Sequence, residues 1–247
     1  SDLAKTLTLD NLGSFLHSDL SGSSETLSFI ADPEKPGDFD TVYGFDKVII
    51  SDGSKQISLR VVGAGGFASI EAASASAVAG DVIYVTKNAV TTNAGTLLPS
   101  STVTHLGLYV EYGHAAMTVR MGDNVNDFSV YGSSPVDVIG NGGSNVIVGN
   151  LGNNAIYGGA GDDVIIGRGG ADKLYGQDGN DVLLAASGGD PASGIAYLSG
   201  GAGADRLINA AYDGRTVAML GGSGADTFQV GTTAGQSGNG KFVTRLS

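Results

Sequence analysis

The chain has 247 residues, a net charge of −12, 41 glycines, and neither cysteine nor tryptophan. The length allows a real core in one large or two small domains. The acidity excludes nucleic-acid binding by counterion release, and the lack of thiols excludes disulfides, thiol catalysis and thiolate metal sites. No apolar run is long enough to span a bilayer, so membrane insertion is not expected. No cleavable signal sequence is visible, and the chain opens at Ser1 without methionine, which is compatible with a mature form, an excised domain or Met removal before serine.

Taken in order, residues 1–66 predict a small strand-rich part, with short strands at 5–9, 25–30, 41–45, 47–51 and 56–62 separated by turns. Alternation of period two is clear in Ser58, Leu59, Arg60 and Val61, whereas Val48, Ile49 and Ile50 suggest burial on both faces. Residues 67–79 are alanine-rich and predict the one helix, with Phe67, Ile70, Ala77 and Val78 near one face and Gly80 as its stop. A strand at 81–86 follows, then a loop over 88–101, then strands at 104–111, 116–121 and 127–131 in irregular coils; 67–139 is thus a second part of the chain.

From Gly140 a nine-residue pattern recurs. GNGGSNVIV, GNLGNNAIY, GGAGDDVII, GRGGADKLY and GQDGNDVLL run to Leu184 without a gap, and GGAGADRLI and GGSGADTFQ begin at Gly200 and Gly221. Positions one and four are glycine in every copy, the fourth being Gly143, Gly152, Gly161, Gly170, Gly179, Gly203 and Gly224. Position six is Asn145, Asn154, Asp163, Asp172, Asp181, Asp205 and Asp226, and position eight is always large and apolar: Ile147, Ile156, Ile165, Leu174, Leu183, Leu207 and Phe228. Glycines let the first six residues close a tight turn. The last three make a short strand whose middle side chain points inward. Two such halves form one coil of a flattened solenoid, and coils stack at about 4.8 Å, the usual strand spacing. Stacked turns bring carboxylates and turn carbonyls together, the oxygen cage that a hard cation such as calcium prefers.

The repeat resembles the RTX (repeats-in-toxin) family, whose nonapeptide GGxGxDxUx forms a calcium-loaded parallel β-roll. The resemblance spans residues 140–230 and implies calcium as cofactor and export by type I secretion. The fold class expected is all-β: a calcium-binding parallel β-roll or β-helix solenoid, with one capping helix, a small strand-rich N-terminal part, and residues 231–247 as a tail or cap strand. DFDTVYGFDKVIISDG resembles the segment that often follows such repeats, so Asp38, Asp40, Asp46 and Asp52 are open to two readings, turn formers or calcium ligands. FASIEAASASAVAGDVIYV resembles the N-terminal capping helix and first strand of pectate-lyase-like parallel β-helices.

Two degenerate copies, PASGIAYLS and YDGRTVAML, fit the interruptions and fix the phase of the coils. Odd turns then lie on one edge of the roll with Asn145, Asp163, Asp181, Asp205 and Asp226, and even turns on the other with Asn154, Asp172, Ala196 and Val217. The metal row should follow the odd edge, lined by those five side chains and by Gly143, Gly161, Gly179, Gly203 and Gly224. Asn154 and Asp172 are the candidates on the even edge. About four calcium ions are expected on the first edge and at most one or two on the second, with Asp127 one coil earlier as an extension of the row. The insertions 185–190 and 209–211 each precede an even turn, so that edge can bulge.

No enzyme is expected. There is no H-E-x-x-H and no G-x-S-x-G, and His17, His105 and His114 are scattered. Asp162 and Asp163 sit inside a metal turn, as ligand and neighbour rather than acid and base. The flat threonine and asparagine rank that ice binding needs is missing. One feature points outward: Val146, Val148, Val164, Ile166, Val182 and Leu184 make the outer face of the odd sheet apolar, and such a face needs cover. Residues 1–66 or another subunit would supply it. The opposite sheet, with Tyr157, Lys173, Tyr175 and Tyr197, can meet water. The function expected is an extracellular or cell-surface structural or adhesive protein that polymerises with itself through the solenoid ends or the apolar face, with a cell-surface polysaccharide as a further partner. The alternative is the RTX segment of a secreted enzyme or toxin whose catalytic domain lies outside this chain.

Overall fold

The computed structural model describes residues 6–10, 47–51, 56–63, 67–85, 89, 94–97, 99–110, 115–185, 195–209, 216–230 and 242–245. Strands β1 (Thr6–Asp10), β2 (Lys47–Ser51) and β3 (Gln56–Val62) precede helix α1 (Ile70–Ala75). After it come β4 (Val82–Val85), β5 (Ala94–Thr96), β6 (His105–Val110), β7 (Met117–Arg120), β8 (Asp127–Tyr131) and β9 (Val136–Ile139). The repeats supply β10 (Val146–Val148), β11 (Ala155–Ala160), β12 (Val164–Ile166), β13 (Lys173–Asp178) and β14 (Val182–Leu184). Beyond them lie β15 (Ile195–Ala202), β16 (Arg206–Asn209), β17 (Thr216–Ser223), β18 (Thr227–Val230) and β19 (Phe242–Arg245).

From β4 onward, successive strands alternate between two sheets. One has eleven strands in the order β1-β2-β3-β4-β6-β8-β10-β12-β14-β16-β18, the other eight in the order β19-β17-β15-β13-β11-β9-β7-β5. Every ladder is parallel except β2–β3, which is antiparallel. The result is the expected all-β parallel solenoid. Its core is the position-eight column: Ile147, Ile165, Leu183, Leu207 and Phe228 are in register in one sheet, Ile156, Leu174, Leu198 and Met219 in the other. Ile147, Ile156, Ile165, Leu174, Leu183 and Leu207 are fully buried, each such side chain contributing about 1.5–3 kcal/mol.

The helix is shorter than expected. Ser69 caps it by accepting the Ala72 N–H, and Ser76 ends it; Phe67 lies before it, bridged to Val62 in β fashion. Ile70, Ala73 and Ala77 close the apolar end of the first coils, but Val78 is 54 % exposed rather than on the packed face. Its N–H instead reaches the buried Asp81 Oδ2 at 3.0 Å, where Arg60 Nε also binds at 2.6 Å. The expected loop over 88–101 contains β5, whose Thr96 N–H donates to Glu71 Oε1 at 2.9 Å and so ties strand to helix.

The described strands of the first part, β1, β2 and β3, extend the eleven-stranded sheet edge to edge rather than crossing its face; the strands expected at 25–30 and 41–45 lie outside the described residues. β19 likewise adds to the eight-stranded sheet, parallel to β17, instead of lying across the end. On the outer face of the larger sheet, Tyr84 and Tyr109 are buried and stacked at 5.3 Å. Farther along that sheet, Val146 is 40 % exposed, and Val148, Val164, Ile166, Val182 and Leu184 are half-buried. On the other sheet Tyr157 and Tyr175 stack at 4.7 Å.

Candidate metal centre

The odd turns are joined by their aspartates. Asp163 Oδ1 accepts the Asn145 N–H at 2.8 Å, Asp181 Oδ1 the Asp163 N–H at 2.8 Å, Asp205 Oδ1 the Asp181 N–H at 2.9 Å and Asp226 Oδ1 the Asp205 N–H at 3.1 Å. One oxygen of each carboxylate is thereby used to hold the coil before it. The Oδ2 atoms of Asp163, Asp181 and Asp205 are buried with no hydrogen-bond partner. Each lies over the first glycine of its own turn: a Cβ on Gly158, Gly176 or Gly200 would stand 2.1, 2.1 or 2.2 Å from that oxygen. Glycine is needed there for room. At position four the need is conformational as well: Gly203 has φ +137, and a Cβ on it would meet the Gly179 carbonyl oxygen at 2.0 Å.

Burying these acids is unfavourable for their charge. Burial pushes the Asp163 carboxyl up to about 7, with help from Asp181 and Asp162 nearby. The Asp181 carboxyl is pushed up to about 6 by burial and by Asp205, Asp162 and Asp178, and Asp205 is raised by burial and by Asp226. The ion pairs among the described residues, Arg60–Asp81 and His105–Asp127, are elsewhere. A column of buried carboxylate oxygens lacking both proton donor and basic partner fits a hard divalent cation. No three acidic or histidine side chains converge among the described residues, so such an ion would take its remaining oxygens from turn carbonyls. Asp163, Asp181 and Asp205 would hold it, with Asp226 at the end of the row.

The even edge begins alike, with Asp172 Oδ1 accepting the Asn154 N–H at 2.9 Å. It does not continue so. Ala196 and Val217, which take the next two sixth positions, are fully buried in the apolar core, and the carboxylate row stops there. Asp127 is not in the odd row: its register partners are His105 and Val146, not Asn145, because this coil is one residue longer, and it faces outward 3.9 Å from His105. Asp38, Asp40, Asp46 and Asp52 lie outside the described residues, as do His17 and His114.

Asn145 and Asn154 differ from the aspartates. Asn145 Oδ1 accepts the Asn141 N–H at 3.1 Å, and its amide donates to Val125 O and Asn141 Oδ1. Asn154 repeats this with Asn150 and Val136. Three further asparagines, Asn124, Asn141 and Asn150, bind turn carbonyls, a role that the nonapeptide pattern does not announce. For Asn141 and Asn150 the sign in the sequence is asparagine at position two, found only in the copies GNGGSNVIV and GNLGNNAIY.

A two-sheet parallel solenoid whose turns stack buried carboxylates is a β-roll of the calcium-stapled class. Residues 139–174 and 157–190 match the RTX calcium-binding nonapeptide repeat, with four copies. The roll is an RTX β-roll, and RTX nonapeptide repeats bind calcium. No curated protein and no solved structure matches the chain.

Proposed function

We propose that this is a secreted, non-enzymatic structural or adhesive module of the extracellular space or cell surface, folded by calcium and assembling with copies of itself. The supporting observation is the placing of chemistry: among the described residues the buried carboxylates, apart from Asp81 with its partner Arg60, gather in the turns, where they serve the cation, while the outer face of the larger sheet offers the row Val146, Val164 and Val182. Strands in register make that row straight and flat, a surface suited to another such surface. The solenoid ends, where β18 is hydrogen-bonded on one side only among the described strands, are a second contact of the same kind.

Sedimentation velocity in excess calcium tests the reading. Oligomers that dissolve in the triple variant Val146→Lys, Val164→Lys, Val182→Lys, with unchanged circular dichroism, are expected. A wild-type monomer at high concentration overturns self-assembly. A hydrolase or pore-forming domain in the same reading frame would move the assignment to the calcium-folded segment of a secreted enzyme or toxin.

A further inference from the structure

Two kinds of turn stack in one solenoid. In the turns 158–163, 176–181 and 200–205 a buried carboxylate oxygen is left without a hydrogen-bond partner. In the turns 140–145 and 149–154 every amide atom of the asparagines at positions two and six is engaged. Asn141 Nδ2 donates to Gly122 O and Val125 O, both at 2.8 Å, while its Oδ1 accepts the Gly143 N–H at 2.9 Å. On the opposite edge Asn150 Nδ2 donates to Tyr131 O at 3.2 Å and Ser134 O at 2.9 Å, and its Oδ1 accepts the Gly152 N–H at 2.9 Å. One coil earlier, Asn124 Nδ2 spans Ser100 O and Val103 O at 2.9 and 2.8 Å. In all three cases one NH2 group bridges two carbonyls, three residues apart, on the turn before.

The backbone differs too. Gly161, Gly179 and Gly203 have φ of +101, +137 and +137, whereas no residue of 140–145 or 149–154 is left-handed. Charge divides the chain at the same place. Among the described residues before Gly158 the one buried carboxylate is Asp81, paired with Arg60; after it come Asp163, Asp172, Asp181 and Asp205, and on the odd edge Asp163, Asp181 and Asp205 each leave one oxygen without a hydrogen-bond partner.

We propose that the turns 140–145 and 149–154, with Asn124 before them, are metal-free turns in which carboxamides take the place of the cation, so that the coils up to Tyr157 fold without calcium and template the calcium-conditional coils after them. A carboxamide donates two N–H groups to the carbonyls that would otherwise face an ion, and it brings no charge that an ion must balance. Asn145, Asn154 and Gly143 then bind no metal, and the calcium row starts at Asp163. The roll grows from its N-terminal end. The inference rests on the calcium-folded reading of the roll.

Hydrogen exchange on the full chain, read by mass spectrometry in excess EGTA and then in excess calcium, tests it. In EGTA, the strands Leu106, Phe128 and Ile147 sit in are expected to stay protected. Those of Ile165, Leu183 and Leu207 should exchange freely until calcium is added. Joint loss of protection on both sides of Gly158 overturns the amide turns and leaves the calcium-folded reading standing; exchange unaffected by calcium anywhere overturns both. A second arm uses Asn141→Gly with Asn145→Asp, which gives this turn the residues of the calcium-binding copies. Calorimetric titration is expected to find one more calcium ion per chain than in the wild type. An unchanged count means that the wild-type turn already holds an ion, and overturns the proposal.

Discussion

Asp205 Oδ1 accepts the N–H of Asp181 at 2.9 Å although 24 residues separate them, while the same bond joins Asp163 to Asn145 across 18. The extra residues precede an even turn in the sequence, where Ala196 has replaced the acid, and the column of odd turns stays in register. The odd edge is thus held to a strict stack, and the even edge absorbs variation.

Asp181→Ala should therefore cost more than Asp172→Ala. Asp181 holds the N–H of Asp163 and is itself held by Asp205; Asp172 is followed on its edge by Ala196. Losing the acceptor leaves a buried N–H unmet, about 1–3 kcal/mol, and calcium affinity should fall on the order of tenfold or more. Thermal melts and calcium titrations of both variants check the order.

The metal-free roll should be less stable at pH 8 than at pH 5. An aspartate whose folded pKa lies above its ordinary 3.8 binds its proton more tightly when folded. Its contribution is present at low pH and is lost as pH rises through the folded values, about 7 for Asp163 and about 6 for Asp181. Calcium reverses the sign, because the ion needs the ionised form. Melting in EGTA and in calcium across this range should give curves of opposite slope.

Gly203→Ala should destabilise the roll by about 2–4 kcal/mol, combining a left-handed backbone with a collision. Its added Cβ would meet a backbone carbonyl at 2.0 Å. Gly142→Ala meets nothing within 4 Å, and should stay within about 0.5 kcal/mol of wild type. Circular dichroism melts in calcium separate the two.

Gln177 stands at position two with φ 84 and Arg168 with φ 73, where Gly159, Gly201 and Gly222 serve elsewhere. Gln177→Gly removes a left-handed cost of about 1–2 kcal/mol, less the greater unfolded freedom of glycine. The net gain should be up to about 1 kcal/mol, visible as a higher melting temperature in calcium.

The repeats made the roll legible because each inward residue recurs at every ninth place, and Ile147 to Leu207 are buried as that spacing requires. The degenerate copies were legible through phase alone: Leu198 and Met219 fall in the same core column. What escaped has local causes. β5 has three residues, too few for alternation to register, and depends on Glu71 for one of its bonds. Asp127 stands 18 residues before Asn145, but the register of this coil spans 19, to Val146. Asn141 and Asn150 are not legible as bridges, because asparagine in a glycine-rich turn reads as a turn former and only the carbonyls it meets reveal the bridge.

The tyrosine stack has an optical consequence. The chain contains no tryptophan, so tyrosine dominates its ultraviolet emission and the long-wavelength part of its near-ultraviolet dichroism. Tyr157 belongs to the last strand before the first acid turn and Tyr175 to a strand beyond it, with ring centroids 4.7 Å apart and planes 5° from parallel. Chromophores so placed couple only while the two coils are docked. Their spectrum is a built-in gauge of whether the seam between the amide-held and the cation-held coils is closed, and it needs no label.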